Sequence, residues 1–305
     1  MTEAEVESLL SPADALAAVE ACFERLARGA IENRPRTRLR LPDGAFAVMA
    51  AVDRELGLAG LKAYAWLTGG TPFVVLLFDA ERAELAAVIE ADKLGQLRTG
   101  AASGVAAKYL AREGAATLGV IGCGWQAESQ LACIRAALPG ITRVVAYCRT
   151  EKSLRGFCEK VGAEPGESHR DPAEQDIVVT ATTSRDPVLR GEWLRPGALV
   201  CAIGANEPRF RELDNVVLER AVFVCCDSLE QARLESGDLI EPIERGVLDW
   251  LEVHELQEVV AGEVAGRGSP DDIVVFKSNG LAAWDVAIAA KAVELARKRG
   301  VGREL

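Results

Sequence analysis

The chain has 305 residues, 49% of them hydrophobic, with 46 acidic against 35 basic side chains and a formal net charge of −11. That length and apolar share support one large or two medium cores. The acidic balance, with no basic cluster, argues against a nucleic-acid partner, and no apolar run reaches the roughly 18 residues of a membrane span.

The start, Met1-Thr2-Glu3-Ala4-Glu5, is acidic and lacks a signal-peptide pattern. The eight cysteines are scattered without a Cys-x-x-Cys pair, which fits reduced, buried thiols in a cytoplasmic protein. With only His169 and His254, a multi-histidine metal site is impossible, and no metal is expected. Both histidines lie in polar or amphipathic stretches and are expected at the surface or in supporting roles. Acid–base chemistry then falls to Lys, Asp, Glu or water.

In chain order, Ser11-Pro12-Ala13-Asp14 opens a helix, with Ser11 as N-cap and Pro12 at the first helical position. Leu16, Val19, Phe23 and Leu26 keep helical spacing, and Gly29 suits the end. Strands are expected at Arg36–Leu41, Ala45–Ala50, Gly60–Trp66, Phe73–Phe78 and Leu85–Ile89, forming a mixed sheet, before a helix over Asp92–Leu110. From Thr117 the texture changes to alternating strands and helices. Apolar runs at Leu118–Ile121, Val144–Tyr147, Ile177–Ala181, Leu199–Ile203, Val222–Cys226 and Ile273–Phe276 predict a doubly wound parallel sheet. A last helix from about Trp284 to Arg299 carries Val286, Ala289, Val293 and Leu295 as its apolar face, expected to pack back onto the first domain. The expected division is 1–113 for a substrate-binding and dimerisation domain, joined by the helix region 281–305, and 114–280 for a Rossmann-type domain.

The strand Leu118–Ile121 breaks at Gly122-Cys123-Gly124-Trp125-Gln126-Ala127, and a helical pattern follows from Glu128 to Ala137. This is the Gly-x-Gly-x-x-Ala form of the dinucleotide-binding turn. Gly122 permits the sharp turn, Gly124 lets the backbone approach a pyrophosphate, and Ala127 lets the helix pack on its strand. The helix N-terminus then offers free N–H groups to the phosphates. The next strand ends at Cys148-Arg149-Thr150, where a NAD site would place an acid for the ribose 2′-hydroxyl. Arg149 and Thr150 suit a 2′-phosphate instead, so NADP(H) is preferred, with NAD(H) possible. Thr180-Ala181-Thr182 and Gly204, at the ends of the next two strands, complete the expected cofactor contacts.

Four further segments are candidates to face the nicotinamide: Pro35-Arg36-Thr37, Gly60-Leu61-Lys62-Ala63-Tyr64, Leu97-Arg98-Thr99-Gly100-Ala101-Ala102-Ser103, and Ala202-Ile203-Gly204-Ala205-Asn206-Glu207-Pro208. With Arg211-Glu212-Leu213-Asp214, Asp227-Ser228, Glu235-Ser236-Gly237-Asp238 and Phe276-Lys277-Ser278-Asn279-Gly280, their order and spacing resemble the ornithine cyclodeaminase / mu-crystallin family over about residues 11 to 299. The resemblance implies that Arg36 and Arg98 grip a substrate carboxylate and that Lys62 lies beside the reacting carbon. Two arginines give forked, charge-assisted bonds to a carboxylate, and a desolvated lysine can exchange a proton with a substrate nitrogen.

The same resemblance exposes a departure. Ornithine cyclodeaminases resemble Gly-Gly-Asp-x-Pro-Gly where this chain has Asn206, and an amide is no base. They also carry a Glu near Met49, where this chain has Ala47-Val48-Met49. Loss of two acids disfavours a diamine. The expected activity is NAD(P)H-dependent reduction of a small α-imino acid or cyclic ketimine carboxylate, or of a 2-keto acid plus amine, to an L-amino acid. Lys62, Arg98 and Asn206 are the candidate catalytic positions. Trp66, four residues after Lys62 on the same strand face, is a candidate pocket wall. Ornithine cyclodeaminase, alanine dehydrogenase and a non-enzymatic mu-crystallin-like ligand binder are the alternatives, and a homodimer is expected.

Overall fold

The computed structural model describes residues 1–66 and 72–303. The chain divides into two compact units, Met1–Arg98 with Gly280–Leu305, and Thr99–Asn279. The expected boundaries were 113 and 280. The first division falls earlier because Asp92–Leu110 is one uninterrupted helix that begins in one unit and ends in the other. Residues 304 and 305, the end of the segment expected to pack back, lie outside the described residues.

In the first unit, strands β1 (Ile31–Leu41), β2 (Gly44–Asp53), β3 (Leu58–Trp66), β4 (Phe73–Asp79) and β5 (Glu84–Glu90) follow one another in space as in sequence. Every pairing is antiparallel, so the expected mixed sheet is corrected to a meander. β1 begins at Ile31, before the expected Arg36. The polar run Asn33-Arg34-Pro35 hid its first half, and its register shifts between Arg34 and Thr37. Proline has no N–H to give a ladder and is tolerated at such a bulge.

Helix Pro12–Ala27 is capped as expected: Ser11 and Asp14 bond each other's backbone in a capping box. The last helix, Ala282–Arg299, packs against it and against β1 to β4. Its buried row runs through Val286, Ala289, Ala292 and Ala296, whereas Val293 and Leu295 of the expected face are only half-buried. Small alanines let the helix lie close to the sheet, where the larger Val293 and Leu295 turn outward. Phe23 and Trp284 meet edge to face at 5.4 Å inside this core.

The second unit is built on eight strands: β6 (Thr117–Ile121), β7 (Arg143–Tyr147), β8 (Glu164–Pro165), β9 (Ile177–Thr180), β10 (Leu199–Ala202), β11 (Ala221–Cys226), β12 (Val253–Glu255) and β13 (Ile273–Lys277). They stand in the order β12-β11-β13-β10-β9-β6-β7-β8, all pairs parallel. The central strands are apolar along their length because both sheet faces are covered. β8 and β12 were not foreseen; two and three residues long, they carry no apolar run. β6 has β7 on one side and β9 on the other, so the order reverses there. In open parallel sheets ligands bind at such a reversal, beyond the strands' C-terminal ends. Among the described residues no helix is long and apolar enough to cross a membrane.

Candidate functional site

In the first unit, backbone register brings two of the predicted residues, Arg36 and Lys62, close together, and helix Asp92–Leu110 supplies the third, Arg98. The β1 bulge at Pro35–Arg36 lies opposite Met49 on β2, Met49 pairs with Lys62 on β3, and Lys62 pairs with Val75 on β4. Arg36, Lys62 and Arg98 are all buried. The residue that joins two of them was missed in the sequence. Asp285, on the last helix, accepts from Lys62 Nζ at 2.9 Å and from Arg98 Nε at 3.1 Å, both through Oδ1. Its Oδ2 is buried without a hydrogen-bond partner among the described residues. A lone acid inside the apolar run Ala282–Ala292 was the available signal.

Around them, the Arg98 guanidinium lies 5.9 Å from the Trp284 ring and Lys62 Nζ lies 6.0 Å from the Phe73 ring. Gly280, at φ +86°, leaves room for that guanidinium; a Cβ there would sit 2.5 Å from Arg98 Nη1. Burial pushes the Lys62 ammonium down to about 7, helped by the positive charge of Arg98 and then of Arg36, and opposed by Asp285. Lys62 and Arg98 thus share one carboxylate, with the positive charge of Arg36 also acting on Lys62, an arrangement suited to an anionic ligand. Trp66 does not join them: at the outer end of β3 it is 51% exposed, against 1% for Lys62.

In the second unit, a cleft of about 330 Å³ opens beyond β6, β7 and β9. Gly122, Cys123, Gly124, Arg149, Thr150, Ala181 and Thr182 line it as expected. Gly122 has φ +113°, and a Cβ would come within 2.3 Å of the Ala181 carbonyl. The helix begins at Trp125, earlier than the expected Glu128, with Gly124 as an N-cap that supplies no side chain. Trp125 and Gln126 form its opening turn, and Ala127 is buried beneath.

Ser153 and His169 also line the cleft and were not foreseen there. The imidazole of His169 meets the Tyr147 ring edge-on at 4.7 Å, and burial, then Arg149, lowers its basicity. His254 instead stacks on Phe223 at 5.1 Å and bonds Glu258. All eight cysteines are unbridged; Cys123 and Cys148 are half-buried on the cleft.

Thr180 corrects another expectation. It is fully buried and gives its hydroxyl to Glu212 Oε2 at 2.9 Å, behind the cleft rather than on it. Gly204 is held to the same carboxylate, and Asn206 is half-buried two residues further on.

A parallel sheet with a glycine turn at its order reversal defines a Rossmann-type α/β protein, here joined to an antiparallel α+β unit. The chain belongs to the ornithine cyclodeaminase/mu-crystallin family, whose model matches residues 1–299. An alanine dehydrogenase of Archaeoglobus fulgidus is 38% identical over 100% of this chain and 97% of its own. The Δ1-pyrroline-2-carboxylate reductase of Thermococcus litoralis, solved with NADH and L-proline, superposes with a TM-score of 0.95 at 32% identity, covering 100% of this chain and 99% of that one. An archaeal alanine dehydrogenase dimer with bound NAD superposes at 0.93 and 36% identity, covering 100% and 98%.

Proposed function

We propose that the protein is an NAD(P)H-dependent oxidoreductase that reduces a small α-imino carboxylate, cyclic ketimines included, to an L-amino acid. The observation that carries this reading is the fully buried Lys62, held by Asp285 among two arginines. Arg36 and Arg98 bind the substrate carboxylate. Lys62, with a proton affinity near neutrality, gives a proton to the imine nitrogen as it becomes an amine. Asp285 orients the ammonium and, through Oδ2, accepts from the product N–H. When bound, the dinucleotide supplies the hydride; the cleft residues of the second unit hold its phosphates and ribose. Fixed charges of this kind act mainly by positioning and by electrostatic stabilisation.

Alanine dehydrogenase and Δ1-pyrroline-2-carboxylate reductase relatives support the reading, since both reactions pass hydride to a carbon–nitrogen double bond beside a carboxylate. Assembly of the imine in the site from a 2-keto acid and an amine would use the same residues. Ornithine is disfavoured: its second ammonium would meet Lys62, Arg36 and Arg98, and Asp285 already serves two cations. The deciding assay follows nicotinamide absorbance with cyclic ketimine carboxylates, with pyruvate plus ammonia, and with L-ornithine. Turnover of ornithine to proline with the imines inert would overturn the assignment.

Arg149, Thr150, Ser153 and His169 around one cleft favour NADP(H) over NAD(H). Arg149→Ala is expected to raise the KM for NADPH about 10-fold or more and to leave that for NADH nearly unchanged, as loss of a charge-assisted phosphate bond implies. Equal effects on both would remove the 2′-phosphate role. The protein is further proposed to be a cytoplasmic homodimer, as the archaeal relative is a dimer. Light scattering giving the mass of a single chain at micromolar concentration would refute the dimer.

A further inference from the structure

A second buried acid lies outside the chemistry just described. Glu212 is fully buried, and its carboxylate collects five hydrogen bonds from the ends of two neighbouring strands. Oε1 accepts from the Thr182 N–H and hydroxyl, each at 2.7 Å. Oε2 accepts from the Thr180 hydroxyl at 2.9 Å, the Gly204 N–H at 2.6 Å and the Ala205 N–H at 3.3 Å. Glu212 is itself held: its N–H donates to Asp238 Oδ1 at 2.7 Å, and Asp238 Oδ2 lies 3.2 Å from Lys277 Nζ. Lys277 completes the circuit by donating to the Ala205 carbonyl at 2.6 Å. Gly204 has no room for a side chain; a Cβ would sit 2.3 Å from the Thr182 carbonyl and 2.5 Å from Glu212 Oε1.

The place of this clamp follows from the strand order β7-β6-β9-β10. Arg149 and Thr150 follow β7 and the glycine turn follows β6. A dinucleotide with its phosphorylated ribose at the first and its diphosphate on the second extends its other half over the exits of β9 and β10. Those are the exits that Glu212 ties together.

Resting on the dinucleotide reading above, we propose that Glu212 is a positioning residue for the nicotinamide half of the cofactor. By fixing Thr182 against Gly204 and Ala205, it holds the ring's seat in one place. A carboxylate suits this site, because three of the five partners are backbone N–H groups that can only donate, on both of its oxygens. Glutamine would turn an N–H₂ either toward the Thr182 N–H or toward those of Gly204 and Ala205, and buried donors facing donors force the strand exits apart.

The test is Glu212→Gln, assayed for kcat, for the isotope effect with NADPH deuterated at C4, and for affinity to NADPH and to adenosine 2′,5′-diphosphate, which carries only the adenosine half. The expected result is a fall in kcat of about 10²-fold, the scale of a misplacement of about 1 Å, with an enlarged isotope effect and unchanged affinity for the adenosine fragment. Thr180→Val, which removes one donor and touches no ligand, is expected to move kcat and the isotope effect the same way by a smaller factor; it decides the matter if Glu212→Gln does not fold. Unchanged kcat and isotope effect in the variants would overturn the proposal alone. So would loss of the adenosine fragment in step with NADPH, which marks a general loss of fold. Failure of the wild type to bind any dinucleotide would overturn the cofactor reading and this proposal with it.

Discussion

Lys62→Ala is expected to lower kcat for imine reduction about 10³-fold, within the roughly 10²–10⁴ range of positioned acid–base catalysis, while leaving NADPH affinity unchanged. Two features support so large an effect. Lys62 is 1% exposed, so water cannot readily stand in for it, and Asp285 fixes its ammonium at 2.9 Å. Because burial and Arg98 hold its proton affinity near 7, the reductive rate should fall as pH rises through that value. The reverse oxidation, which needs the free amine, should rise through it. Lys62→Arg, charged across the whole range, should erase both transitions. A reductive profile that stays level from pH 6 to 9, about one unit below and two above that value, would remove Lys62 from proton transfer.

The same shift has a sign for stability. The folded state binds fewer protons at Lys62 than the unfolded state between about 7 and 10.5. The Lys62 contribution to stability therefore increases with pH across that window, and the cost of the buried ammonium is felt in full below it.

Asp285→Ala is expected to cost about 3–5 kcal/mol of folding stability, the scale of leaving buried charges without their counter-ion. It strands two cations at once, Lys62 and Arg98, which share one oxygen of the carboxylate. Asp285→Asn keeps the shape but not the charge. Since Asp285 supports the charged form of Lys62, the midpoint of the reductive profile should move to lower pH in that variant. Denaturant unfolding and the pH profile read the two effects separately. A stability loss under about 1 kcal/mol in the alanine variant, the level of an exposed pair, would show that the cluster is solvated.

The glycine turn and the parallel strands were legible because each is a local pattern, an apolar run or a spacing; Arg36, Lys62 and Arg98 stood out only through the resemblance to the family, since locally each could be an ordinary charged side chain. What the sequence hid was long-range or polar. Asp285 lies 223 positions from Lys62, and although a lone acid in an apolar run marks it, nothing local names its partner. The first half of β1 was hidden by its polar run Asn33-Arg34-Pro35, just before the register shift between Arg34 and Thr37. Thr180 and Thr182 look alike in the sequence, yet one residue faces the packing and the other the cleft. Glu212 sat in a segment that matched the family but suggested no task until its five donors were in view. Trp66, a candidate pocket wall by strand alternation, is instead half exposed among the described residues, because cover is a property of the neighbours and not of the strand.

Helix Ala282–Arg299 is made after the entire second unit, yet it covers the sheet of the first. On a ribosome, residues 1–98 therefore emerge long before the surface that buries Lys62, and the meander must wait with one apolar face and an uncompensated lysine. The Rossmann unit, contiguous from Thr99 to Asn279, can complete itself meanwhile. The sheet of the first unit thus cannot be covered until residues 282–299 have been made, whereas the second unit is complete in one contiguous stretch.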